Sequence, residues 1–143
     1  MRKNEAVGKM GDVDFMGMIE EFRSRLPTQI THVNPSEFKI SVCVRKRPIF
    51  AKEEAKGEVD VCTCIGNKAM VHEPKFKVDG ITKYLQNMEF TYDNTFNENE
   101  NGETVYQYSL APMCEFVANR RGTVTCFAYG QTGSGKTFTM MAL

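Results

Sequence analysis

The chain has 143 residues, 18 basic and 18 acidic, for a formal net charge of zero. With 41% hydrophobic and 25% charged residues it has the composition of an ordinary globular domain, and no global field draws it toward nucleic acid or an anionic membrane. No apolar run approaches the roughly 20 residues of a membrane-spanning helix. The Met1 to Asp14 stretch carries Arg2, Lys3 and Lys9 but no apolar core follows, so no secretory leader is expected.

Five cysteines, Cys43, Cys62, Cys64, Cys114 and Cys126, are an odd number without a secreted context and read as reduced thiols of a cytosolic protein. Cys62-Thr-Cys64 is too tight for the usual zinc spacing and lacks a second ligand pair; His32 and His72 stand alone.

In chain order, residues 1–13 are polar and read as a disordered N-terminus. Phe15, Met18, Ile19, Phe22 and Leu26 recur at three- and four-residue spacing, which predicts a helix over Asp14 to Leu26 stopped by Pro27. Such a helix either packs on its own domain or serves as a neck that docks elsewhere; the spacing fits both. Pro27 to Glu37 reads as a linker. Phe38 to Arg45 alternates Ile40, Val42 and Val44 with Ser41 and Cys43, a strand ended by Arg45-Lys46-Arg47-Pro48. Val59 to Ile65 and Ala69 to His72 predict short strands around an asparagine turn, and Phe90 to Tyr92 another.

Glu89 to Glu103 holds five acidic residues and no Lys or Arg, the pattern of a solvated loop. Thr104 to Val117 predicts a helix with Val105, Tyr108, Met113, Phe116 and Val117 on one side, bent or interrupted at Pro112. Arg120-Arg121-Gly122 supplies a basic end and a glycine C-cap. Thr123 to Tyr129 is uncharged, β-branched and aromatic, the composition of a central strand covered on both faces. Strand, helix and strand followed by a glycine-rich turn predict an α/β sheet.

That turn, Gly130-Gln131-Thr132-Gly133-Ser134-Gly135-Lys136-Thr137, is a complete phosphate-binding P-loop. Its glycines let successive backbone N–H groups point at phosphate oxygens, Lys136 supplies a charge to the β- and γ-phosphates, and the Thr137 hydroxyl suits Mg²⁺. Phosphate binding is not hydrolysis. The second Mg²⁺ carboxylate and the groups that orient water normally lie after the P-loop. The sequence ends at Leu143, so a domain truncated just after the P-loop is expected.

Phe127-Ala-Tyr-Gly-Gln-Thr-Gly-Ser-Gly-Lys-Thr-Phe-Thr-Met140 closely resembles the P-loop of kinesin motor domains. Arg45-Lys46-Arg47-Pro48 at a strand end resembles the kinesin Arg-x-Arg-Pro adenine motif, and Thr104-Val105-Tyr106 sits where kinesins place a tyrosine near the base. The resemblance implies a P-loop NTPase fold with a kinesin-type sheet flanked by helices, ATP and Mg²⁺ as ligands, and Arg45, Arg47, Pro48 and Tyr106 around the adenine. A guanidinium–proline edge and an aromatic ring can sandwich a purine. A generic GTPase or kinase fits less well, because the first strand lies far ahead of the P-loop.

Finer resemblance points to the internal-motor, microtubule-depolymerising kinesin-13 class. It is carried by Ile40-Ser-Val-Cys-Val-Arg-Lys-Arg-Pro48, by Val71-His-Glu-Pro-Lys-Phe-Lys-Val-Asp79 and by Phe15-Met-Gly-Met-Ile-Glu-Glu-Phe-Arg23, which looks like the end of that class's neck helix. This implies a division into residues 1–13, a neck helix and linker over 14–37, and the N-terminal part of a motor domain over 38–143. It also implies tubulin as partner, contacted by Lys75, Lys77, Val78 and Asp79. A homodimer through the neck or through segments outside the chain, and a place on cytoplasmic and spindle microtubules, follow from the same resemblance. Met141-Ala-Leu143 departs from the glycines that usually follow the kinesin P-loop, and both switch motifs are absent, so the chain alone is expected to be inactive as an ATPase. The alternative is a non-catalytic product that binds tubulin or another partner.

Overall fold

The computed structural model describes residues 13–35 and 39–143. The expected disordered N-terminus lies, apart from Val13, outside the described residues, as do Ser36 and Glu37 at the end of the expected linker and Phe38 at the start of the expected strand.

Helix α1 spans Val13–Ser24, with Asp14 in its first turn and Arg23 in its last, each complementing the helix dipole. Its apolar stripe buries Phe15 and Ile19. Phe15 meets Phe76 edge-on at 5.7 Å and Phe22 meets the His72 ring at 4.9 Å. The helix therefore packs on its own domain, against a three-stranded antiparallel sheet of β2 (Cys62–Ile65), β3 (Lys68–Phe76) and β4 (Lys83–Thr91). The β2–β3 turn falls at Gly66-Asn67, and β3 pairs with β4 from Lys68↔Thr91 to Phe76↔Lys83. All five cysteines are free, and burial pushes the Cys64 thiol up to about 11, so it is an inert core group.

A second, two-stranded parallel sheet joins β1 (Cys43–Arg45) to β5 (Asn94–Phe96). The acidic stretch expected to be a solvated loop thus contains a strand, and Asn94, Thr95 and Phe96 are wholly buried. Hydrogen bonding explains the difference. The Asn94 side chain accepts from Val33 N at 2.9 Å and donates to Val33 O at 2.7 Å and Tyr108 O at 3.1 Å. Thr95 Oγ1 reaches both Gly66 O and Lys68 O. Polar side chains with every group paired can be core residues.

The helices after β1 are α2 (Ala51–Glu54), α3 (Gly102–Gln107), α4 (Ala111–Arg120) and α5 (Lys136–Ala142). Asn101 caps α3 by accepting from Thr104 N at 2.9 Å. The interruption expected at Pro112 is present, with the proline in the first turn of α4. The expected common apolar side is not: Val105 is buried, whereas Phe116 and Val117 are exposed. The left-handed residue closing α4 is Arg121, at φ 52°, and not Gly122. Gly122 serves a different need, since a Cβ there would lie 2.2 Å from the Phe116 ring.

Thr123 to Tyr129 corrects a larger expectation. The segment forms no strand, and Phe127 and Tyr129 are 85% and 103% exposed. Its composition suits a central strand, but a strand exists only through its ladder, and the backbone of this segment makes no hydrogen bond to another described residue.

Candidate nucleotide site

The P-loop adopts the backbone its glycines permit. Gly133 and Gly135 sit at φ 84° and 93°, where a side chain would be strained, and Gly135 caps α5, which starts at Lys136. A Cβ on Gly130 would fall 2.5 Å from Ser134 Oγ, so a side chain there would have to displace the serine hydroxyl. Lys136 Nζ donates to Gly130 O and Gln131 O, each at 2.8 Å, which holds the ammonium across the loop. Ser134 N donates to Gln131 O at 3.1 Å. Gln131, Thr132, Gly133, Ser134 and Thr137 are exposed, with Thr137 in the first turn of α5. A left-handed glycine backbone, a lysine over it and a hydroxyl at the helix start form a donor set that fits a triphosphate with Mg²⁺.

The strand period of two sorts the arginines from the lysine between them. Arg45 Nη1 donates to Thr139 Oγ1 at 3.3 Å, and its guanidinium lies over the Phe138 ring at 5.0 Å, both on α5. The Arg47 stem passes 4.0 Å from where a Gly135 Cβ would be. So Arg45 and Arg47 both face the P-loop helix, and Pro48 follows them. Arg47 Nη2 pairs with Glu53 Oε1 at 2.6 Å, and its guanidinium stacks over Phe50 at 4.3 Å. The hydrogen bond that Glu53 accepts, with its charge, raises the Arg47 pKa, and the same hydrogen bond holds the Glu53 carboxyl below its ordinary value.

Lys46 points to the opposite face. Its buried Nζ donates to Asp60 at 2.6 Å and to Glu98 at 2.9 Å, and its backbone N to Phe96 O at 2.8 Å extends the β1–β5 pairing. Asp60 also meets Arg23 of α1 at 3.0 Å. Burial opposes the charged form of Asp60. The Lys46 hydrogen bond, the Cys62 amide and the Lys46 and Arg23 charges outweigh that and hold its carboxyl below the usual range.

Tyr106 lies on α3, half-buried, with its hydroxyl against Cys114 of α4; that thiol is the main cause of its raised pKa. It is tied to the P-loop helix through α3, whose Gly102 approaches Ala142 so closely that a Cβ would fall 2.8 Å from the alanine methyl. The structure therefore brings Arg45 and Arg47 to the P-loop helix and turns the Tyr106 hydroxyl toward Cys114.

The remaining expected site residues occupy the β3–β4 hairpin. Lys75 Nζ is held by Glu73 at 3.1 Å and Gln86 at 2.5 Å. Beyond it, Lys77 N bonds to Thr82 O and Gly80 N to Lys77 O. Asp79 ties the turn by accepting from Ile81 N, Thr82 N and the Thr82 hydroxyl. The turn presents Val78 and Ile81 at 108% and 82% exposure. Sequence reasoning missed Asp60, Glu53 and Thr139. Each is an ordinary surface-type residue, recognisable only once folding sets it beside an arginine or lysine of Arg45-Lys46-Arg47.

A glycine cradle opening a helix, with two strand-end arginines against that helix, is the arrangement of a P-loop protein. The kinesin motor domain family matches residues 45–143, which include both elements. The chain is 43% identical over 144 aligned positions to diatom spindle kinesin-1 of Cylindrotheca fusiformis, covering 96% of this chain and 23% of that protein. The chain belongs to the kinesin motor domain family. It spans less than a quarter of the length of that curated relative.

Proposed function

We propose that the chain is the ATP- and Mg²⁺-binding part of a microtubule-dependent motor ATPase. One observation carries the reading: Arg45 and Arg47 lie against the helix that Gly135 and Lys136 open. In this reading Gly130 to Lys136 take the phosphates, Thr137 takes Mg²⁺, and Arg45, Arg47 and Pro48 take the adenine with Tyr106 nearby. Lys136 Nζ exchanges two carbonyl partners for phosphate oxygens, a charge-assisted gain over neutral acceptors. The test is binding of a fluorescent ATP analogue to the 143-residue chain with Mg²⁺. Lys136→Ala is expected to weaken it at least tenfold; equal affinity of the two proteins overturns the reading.

The finer reading is the microtubule-depolymerising class, acting on spindle and cytoplasmic microtubules, a location in keeping with the name of the diatom relative. Its support is the hairpin tip. Asp79 makes the turn rigid at no cost to the exposed Val78 and Ile81, and Lys77 adds positive charge suited to an acidic tubulin surface. A non-catalytic role, in which this hairpin binds tubulin while the P-loop stays silent, rests on the same tip. Co-sedimentation with tubulin, without nucleotide and with ATP and Mg²⁺, separates them. Loss of binding in Val78→Ser with full binding in Lys136→Ala favours the non-catalytic role. Dependence on Lys136 favours the motor.

A further inference from the structure

Lys46 lies between two residues of the proposed base pocket but takes no part in it. Its side chain is 8% exposed and is clamped from the far side of β1 by Asp60 at 2.6 Å and Glu98 at 2.9 Å. Because side chains alternate along a strand, whatever fixes Lys46 on one face fixes where Arg45 and Arg47 emerge on the other. Asp60 is a shared carboxylate. Besides Lys46 it holds Arg23, whose guanidinium also donates to Asp60 O at 3.1 Å, to Cys62 O at 2.7 Å and, through Nε, to Thr63 Oγ1 at 2.9 Å. Helix α1 and the arginine segment are thus joined through one partly buried acid.

We propose that Asp60 is a positioning residue for the base side of the nucleotide site, and that Arg23 makes the docking of helix α1 part of the same device. The inference rests on the reading of Arg45, Arg47 and the P-loop as an ATP site. Asp60 neutralises Lys46 and orients it, which sets the pitch of Arg45-Lys46-Arg47. With α1 docked, Arg23 shares the acid and fixes its rotamer. With α1 displaced, Asp60 is free to turn and the arginines lose their backing. By linkage, a ligand that needs the arginines in place must also favour the docked helix, and by the same factor.

The phosphate loop is outside this device, because Gly130 to Lys136 make no contact with Asp60, Lys46 or Arg23 in the described hydrogen bonds and ion pairs. The expectation is therefore selective. Affinity for ATP should depend on Asp60 and Arg23, and affinity for inorganic tripolyphosphate, which has no base, should not.

The experiment measures both ligands, with Mg²⁺, on the 143-residue chain and its Asp60→Asn, Arg23→Gln and Lys136→Ala variants. Asp60→Asn is expected to weaken ATP about tenfold, the scale of one lost charge-assisted hydrogen bond. It should leave tripolyphosphate within about twofold of the parent. Arg23→Gln should shift ATP in the same direction by a smaller factor. In the reciprocal measurement, ATP should slow amide exchange in Val13–Ser24 in the parent chain, and tripolyphosphate should not. Parallel loss of both ligands in Asp60→Asn overturns the proposal, because it marks general unfolding. Unchanged ATP affinity in Asp60→Asn and Arg23→Gln also overturns it. Failure of the nucleotide reading itself looks different: the parent and Lys136→Ala would then bind neither ligand better than the other.

Discussion

The Thr63 hydroxyl lies 2.8 Å from His72 Nε2, and this contact gives a direction to a hydrogen-bond chain that crosses four elements. His72 Nδ1 lies 2.7 Å from Asn87 Oδ1, which can only accept, so Nδ1 carries the hydrogen there. Nε2 then accepts from the Thr63 hydroxyl, leaving Thr63 Oγ1 to accept from Arg23 Nε at 2.9 Å. The chain runs from α1 through β2 and β3 to β4, and His72 and Thr63 are buried along it.

Thr63→Val should therefore cost more than a methyl-for-hydroxyl exchange usually does. It leaves the buried His72 Nε2 without a partner and takes one of several from the partly exposed Arg23, a loss of about 1–3 kcal/mol. Urea unfolding of the chain and the variant measures it. A change below about 0.5 kcal/mol, the range of surface substitutions, would show that the chain is not cooperative.

Asp60 supplies a pH dependence whose sign follows from its lowered pKa. A carboxyl held down in the folded state adds stability that is fully present above its unfolded value, about 3.9. That stability is lost as pH falls through the lower folded value. The urea midpoint of the parent chain should drop below about pH 4 more steeply than that of Asp60→Asn, which lacks the ionisable group. Identical slopes for the two would remove Asp60 from the acid response.

The fold was legible where local pattern and packing agree. The α1 stripe, the β2–β3 turn and the break at Pro112 all follow from periodicity and turn chemistry. Strand β5 was not, because Asn94 and Thr95 are polar by composition and become core only through Val33, Tyr108, Gly66 and Lys68, partners remote in sequence. The backbone of the P-loop was legible, since the glycines announce the left-handed turns seen at Gly133 and Gly135. The setting of Arg45-Lys46-Arg47 was half legible: the motif shows the arginines, whereas Asp60 and Glu53 carry no signal of their own. Thr123 to Tyr129 misled, because composition reports what a segment suits and not whether its backbone enters a ladder.

Gly122 and Phe116 offer a clean coupling test. Gly122→Ala places a methyl 2.2 Å from the present position of the Phe116 ring, so the ring must swing away or the backbone must shift. Overpacking of this kind costs about 1–3 kcal/mol, toward the low end here because Phe116 is partly exposed and can move. In Phe116→Ala the obstacle is gone, and the double variant should recover most of the loss. A strictly additive cycle would place the strain in the backbone and not in the ring contact.

The exposed segment Thr123 to Tyr129 predicts concentration-dependent self-association. It carries no charge, and its backbone makes no hydrogen bond to other described residues. Phe127 and Tyr129 stand almost fully in solvent. An uncharged, β-prone, unpaired stretch is a template for strand pairing with another copy. Phe127→Lys should raise the concentration at which light scattering begins by several-fold, since one charge per strand repels when copies stack. Val78 is the control. It is just as exposed, but it sits in a turn whose backbone is already bonded between Lys77 and Thr82 and cannot take a ladder. Val78→Lys should leave the onset of scattering unchanged. If both lysines act equally, the association is driven by exposed apolar surface in general, and pairing through Thr123 to Tyr129 is excluded as its cause.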